Sequence, residues 1–101
     1  MPAAATKGSE VTTGHGCDAT TTIDGGESSV QIGGQDAAVV GSNLTTHNAP
    51  AGDKCLPHAT KVTEGSSSVE VNGKALARVG DGISCSDGGE ISSGNTSVIA
   101  G

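Results

Sequence analysis

Six side chains in this sequence offer imidazole nitrogen or thiol sulfur to a metal: His15, His47 and His58, and Cys17, Cys55 and Cys85. Imidazole nitrogens and thiolates suit tetrahedral zinc, and a site filled by four protein ligands is a structural one. Three of the six recur at nearly one phase. His15 lies seven residues after Gly8, His47 six after Gly41, and Cys85 five after Gly80. His58, in Cys55-Leu56-Pro57-His58, is placed to supply a fourth donor, and Cys55, three residues before it, is the alternative. Three imidazoles with a thiolate favour zinc over iron. Under this assignment Cys17 and Cys55 are left over. They form either a disulfide, which needs an oxidising compartment, or small buried thiols.

The phase comes from an internal repeat. Ser28-Ser29-Val30-Gln31-Ile32-Gly33-Gly34-Gln35-Asp36-Ala37-Ala38-Val39-Val40-Gly41-Ser42 returns 39 residues later as Ser67-Ser68-Val69-Glu70-Val71-Asn72-Gly73-Lys74-Ala75-Leu76-Ala77-Arg78-Val79-Gly80-Asp81. Each copy reads as a strand, a two-residue turn, a second strand and a breaking glycine. Asn-Gly or Gly-Gly between alternating apolar residues signals a hairpin, because a type I′ turn needs positive φ at both central positions. On a period of two, Val30 and Ile32 share a face, as do Val69 and Val71. A third copy is split across the ends: Thr96-Ser97-Val98-Ile99-Ala100-Gly101 would pair with Met1-Pro2-Ala3-Ala4-Ala5, followed by Gly8-Ser9. The steps from Val30 to Val69, to Val98 and round the ends to Val30 are 39, 29 and 33 residues, which together use up the chain. Three similar units imply pseudo-threefold symmetry, with adjacent termini and the ligand-bearing points converging near the axis.

Composition explains why such a chain would need an ion. It has 101 residues, no Phe, Tyr or Trp, and only 33% hydrophobic residues. Aromatic side chains usually dominate a core, so Val, Ile, Leu and Ala must build this one. A domain this small is marginal on surface-to-volume grounds, whereas a structural zinc supplies roughly 10 kcal/mol or more of folding energy. No long stretch has helical periodicity, and the short apolar alternations between turn signals predict an all-β fold. The valine and isoleucine hairpin positions (Val30, Ile32, Val69, Val71, Val98) are the candidates for core and base. No apolar run approaches the roughly 18 residues of a membrane span, and the start does not read as a secretory signal. A formal charge of −6 argues against nucleic acid, whose phosphates are bound through Lys and Arg.

The segment Asn72-Gly73 followed by Ala75-Leu76-Ala77-Arg78-Val79-Gly80-Asp81 resembles the signature of the proline-alanine-alanine-arginine (PAAR) repeat proteins. Gly14-His15-Gly16-Cys17 and Ile83-Ser84-Cys85 are also similar to that family's pattern, and the likeness covers essentially the whole chain. The repeats are degenerate. The cores are Pro2-Ala3-Ala4-Ala5, Asp36-Ala37-Ala38-Val39 and Ala75-Leu76-Ala77-Arg78, and the usual Gly-Asp survives only as Gly80-Asp81. The resemblance implies a single domain over residues 1–101, a small β-cone whose tip is held by one zinc on His15, His47, His58 and Cys85. It also implies a flat base that caps the trimeric β-helical spike (VgrG-like or a phage spike) of a type VI secretion system or contractile phage tail, one copy per trimer. The cone would sharpen that spike for a transient passage through the target membrane. It would be made in the cytoplasm and delivered outward as part of the apparatus. The last hairpin consumes the C-terminus, so no fused effector is expected.

Two other functions compete. A zinc hydrolase would keep a coordination position open and need a nearby acid or base, for which Asp18 and Asp53 are the nearest carboxylates in sequence. The His-Glu-x-x-His and zinc-deaminase signatures are absent, and neither Gly33-Gly34 nor Asn72-Gly73 opens a phosphate-binding helix. No catalytic activity and no small-molecule substrate are therefore expected. A free-standing, disulfide-bonded binding or adhesin module is the other alternative.

Overall fold

The repeated apolar pairs fold as two-stranded hairpins, and the chain between them runs through short bridged segments. The structure is a computed structural model and describes residues 2–84 and 88–100. The first hairpin joins β4 (Glu27–Ile32) to β5 (Gln35–Ala37), and the second joins β8 (Glu70–Val71) to β9 (Lys74–Ala75). Their turns are built as type I′ chemistry requires: φ is 61° and 84° at Gly33 and Gly34, and 53° and 79° at Asn72 and Gly73. The chain's two ends make a further pair without a turn, β1 (Ala3–Ala4) lying antiparallel to β11 (Asn95–Ile99) with Ala3 opposite Ile99. β2 (Glu10–Thr12), β3 (Thr20–Thr22) and β10 (Glu90–Ile91) form a small sheet in the order β10-β2-β3. The last hairpin, β6 (His47–Ala51) with β7 (Lys54–His58), has five register pairs, more than any other in the described residues. Every one of these pairings is antiparallel, so the fold is all-β. No helix among the described residues is long and apolar enough to cross a membrane.

The core is thin and stacked in two clusters. One contains Ala5, Ala38 and Ala77 with Val11, Leu44, Ile83, Ile23, Val62 and Ile91. The other contains Ala4, Ala37 and Leu76 with Val39, Ile32, Val71 and Ala100. Ile32 and Val71 are thus interior, whereas Val30, Val69 and Val98 stay 39%, 36% and 37% exposed. Within the first cluster three alanines close a ring of backbone hydrogen bonds. Ala5 N–H donates to Ala77 O (2.9 Å), Ala77 N–H to Ala38 O (2.9 Å), and Ala38 N–H to Ala5 O (3.0 Å). All three are fully buried, and a side chain larger than methyl there would overpack the junction. The molecule is elongated, 41 × 23 × 22 Å, with two nearly equal short axes.

Behind each alanine the chain makes the same turn. Gly8, Gly41 and Gly80 take φ of 94°, 94° and 92°, a region that side chains rarely enter. The following residue caps the turn through its side chain. Ser9 Oγ accepts from Thr6 N–H and Ser42 Oγ from Val39 N–H (3.0 Å each), while Asp81 Oδ2 accepts from Arg78 N–H (2.7 Å). Serine and aspartate are interchangeable as that acceptor, which is why the turn survives where Gly-Asp has become Gly-Ser. Asp81 does more because only its unit carries an arginine. The guanidinium donates from Nε to Oδ2 (3.1 Å) and from Nη2 to Oδ1 (2.9 Å). These bonds hold Arg78 above its ordinary pKa. A net hydrogen bond contributes about 1 kcal/mol, and one to a charged group about 1.5–3 kcal/mol. Ser42→Ala should therefore cost about 1 kcal/mol and Asp81→Ala about 2–3 kcal/mol by urea denaturation. Equal losses would show that the arginine pair adds nothing.

Candidate metal centre

Two segments bring three imidazoles together. His47 and His58 are register partners at the open end of the β6–β7 hairpin. His15 comes from the loop between β2 and β3, just beyond the buried Val11 and Thr13. The ring centroids are 5.3 Å apart for His15–His47, 5.5 Å for His15–His58 and 5.0 Å for His47–His58. The three candidate ligand atoms lie within 4.8 Å of one another, so a single ion can span them.

Local hydrogen bonds fix which nitrogen faces inward. Nδ1 of His15 is 2.9 Å from Gly16 O, and Nδ1 of His47 is 2.9 Å from Thr45 O. A carbonyl only accepts, so each Nδ1 carries the proton and each Nε2 keeps its lone pair, the arrangement common for metal-bound histidine. The Nε2 atoms of His15 and His58 are buried and have no hydrogen-bond partner among the described residues. Leaving a buried polar atom unsatisfied costs about 1–3 kcal/mol. Two such atoms aimed into one cluster of donors fit a cation and are poorly accounted for otherwise. Burial, then the neighbouring His47 and His15, push the His58 pKa below its ordinary 6.5.

The loop that carries His15 is tied to the hairpin that carries the other two. Thr13 Oγ1 donates to Asp18 O (2.8 Å), closing the loop on itself. Asp18 Oδ2 accepts from Asn48 N–H (2.7 Å) and Nδ2–H (3.1 Å), and Asp18 N–H donates to Asn48 O (3.2 Å). Cys17 and Cys55 form a disulfide between the same two segments. A bridge across 38 residues stabilises the folded chain by about 4 kcal/mol in the chain-entropy account.

These contacts correct parts of the sequence reading. Cys55 is not an alternative metal ligand, because its sulfur is bonded to Cys17 and has no thiolate to offer. Nor are the two cysteines buried thiols, since both are exposed. Asp18, considered above as a hydrolytic acid or base, spends its carboxylate on Asn48. Asp53 sits exposed in the hairpin turn, at the opposite end from the His47–His58 pair. Cys85, read as the fourth ligand, lies outside the described residues. The sequence reading missed Thr13 and Asn48 as supports of the site. A threonine two residues before His15 and an asparagine directly after His47 were the available signals.

A family model for the PAAR motif matches residues 51–101, just over half of the chain. The match contains His58, Cys85 and the Ala75–Asp81 segment, and it begins after His15 and His47. No curated protein matches the sequence.

The lowered His58 pKa sets a direction with pH. Below about 6.5 the unfolded chain binds a proton that the folded one resists, so stability falls as acid is added. The contribution is complete above the ordinary histidine value and is lost toward the depressed folded one. Thermal midpoints of the metal-free protein should therefore fall between about pH 7 and pH 5. His58→Gln should flatten that slope, and an unchanged slope would mean His58 titrates normally.

Proposed function

Because this chain belongs to the PAAR motif family, we propose that it is the tip of a contractile injection machine, capping and sharpening its trimeric β-helical spike. Proteins of this family are structural, and this chain is a metal-site-bearing structural protein and not an enzyme. The observation that carries the finer reading is the ring through Ala5, Ala38 and Ala77, with the same glycine turn and the same side-chain cap repeated behind each alanine. It supports a single domain of three degenerate repeats, one split across the chain ends, arranged as a pseudo-threefold cone.

One end of that cone would be the base. Val30, Val69 and Val98 occupy corresponding positions and keep nearly equal exposure, as expected of a surface that must meet three identical chains alike. Strand edges at the blunt end of a spike invite pairing, and a cap with three similar hairpins can satisfy them by strand addition. The other end would carry a zinc held by His15, His47, His58 and Cys85. Bound there, zinc supplies four directional bonds where few apolar contacts are available. The chain's own part is to hold each imidazole by its Nδ1 bond or strand register and to keep water from the inward nitrogens. The device would be a phage tail, a type VI secretion system or a related apparatus, with the tip passing transiently through the target membrane.

The Cys17–Cys55 disulfide is the observation that favours the free-standing binding module instead. Elemental analysis separates the two: the spike tip should hold one zinc per chain, lost in His15→Ala, whereas a binding module should be metal-free. Mass measurement of the complex with a trimeric β-helical spike protein should give one copy per trimer. Three copies would contradict a cap seated on the threefold axis.

A further inference from the structure

We infer that the Cys17–Cys55 disulfide is a redox lock on the histidine cluster, setting how tightly the apex holds its metal. The inference rests on the metal reading above and adds its regulation. The three imidazoles are not equally secured. His47 and His58 are fixed opposite each other by strand register, while His15 belongs to a separate loop whose position must come from contacts to that hairpin. Cys17 is two residues beyond His15, and Cys55 three residues before His58, so the bridge joins the two segments beside the donors. Cys17 itself sits at φ 69°, a left-handed conformation that a residue with a side chain adopts only when its surroundings impose it.

Both cysteines are exposed, so a small reductant can reach the bond. A dithiol reductant supplies two electrons and two protons. The Sγ–Sγ bond breaks, Cys17 and Cys55 become thiols, and the reductant becomes a disulfide. The loop is then held to the hairpin by the three Asp18–Asn48 hydrogen bonds and the ring contacts of His15 with His47 and His58. Those contacts keep the loop nearby without fixing its geometry, so reduction loosens His15 and does not remove it. Preorganised donors lose less freedom on binding, which makes the oxidised chain the tighter binder. The ring of alanines lies apart from this linkage and is expected to survive reduction.

The test is the zinc affinity of the full chain, oxidised and after dithiol treatment with the reductant removed, measured by competition with a chromophoric chelator. The reduced chain should bind about 10–100-fold more weakly, the usual effect of losing support around a ligand. The double variant Cys17→Ser with Cys55→Ser should match it. Amide hydrogen exchange of the metal-free chain provides the control: amides of residues 14–18 should exchange faster on reduction, with Ala5, Ala38 and Ala77 still protected. Equal zinc affinity in both redox forms would overturn the lock and leave the metal reading intact. Tighter binding by the reduced chain, absent in the double variant, would overturn it by making the thiols ligands. An equal drop in protection at residues 14–18 and at the three alanines would overturn it, because the bridge would then act through global stability alone. Zinc binding by neither form would overturn both readings.

Discussion

The hydrogen-bonded ring of Ala5, Ala38 and Ala77 is the constraint around which the rest is arranged. Three passes of one chain meet there, each giving an amide to one neighbour and a carbonyl to the other. A backbone crowded this closely tolerates only methyl side chains, so the apolar bulk lies around the ring in its own layer and in the layer beside it. Those layers are filled with Val, Ile and Leu, which suit short pleated segments. Scarcity of large side chains is therefore a condition of the fold as much as a weakness of it. What the layers lack in bulk is made up by directed contacts: capped turns, the Arg78–Asp81 pair, and the bridge beside the histidines.

The apex obeys a different economy from the core. Past Val11 and Leu44 the chain runs out of buried aliphatic residues, and order is kept by a disulfide, by Asp18 on Asn48 and by carbonyls on two imidazole rings. These interactions set geometry more than they add mass to a core. Among the described residues they leave two inward nitrogens unsatisfied, a local cost that a cation would offset. Stability of the layers and geometry of the apex are thus supplied by separate groups of residues, and changes in one need not damage the other.

Much of this was legible because it repeats. The hairpins at 28–42 and 67–81 announced themselves through Gly-Gly and Asn-Gly between alternating valines, and the chain-end pair followed from their phase. The same periodicity grouped His15 and His47 with Cys85, while His58 was added as a fourth donor from outside that phase. The β6–β7 hairpin gave no such signal. Pro50 and Pro57 lie within its strands, and its side chains are mostly exposed, so no apolar alternation marks it. Its register pairs His47 with His58, a proximity that spacing alone could not reveal. Asp18 was visible as a carboxylate near a histidine, but its partner is 30 residues away, and long-range pairing is what sequence pattern encodes least. The choice between disulfide and thiols was open for the same reason.

The bridge also governs how the molecule would respond to a pull. Tension on the two chain ends can peel strands only up to the sulfurs, because the 38-residue segment between them is covalently short-circuited. At roughly 3.4 Å per residue that withholds about 130 Å of extension. Inside the protected loop lie β4, β5 and Ala38, a third of the ring and one whole hairpin. An oxidised chain dragged by its ends through a narrow opening would keep that part as a knot-like bead, whereas a reduced one could be drawn out as a thread.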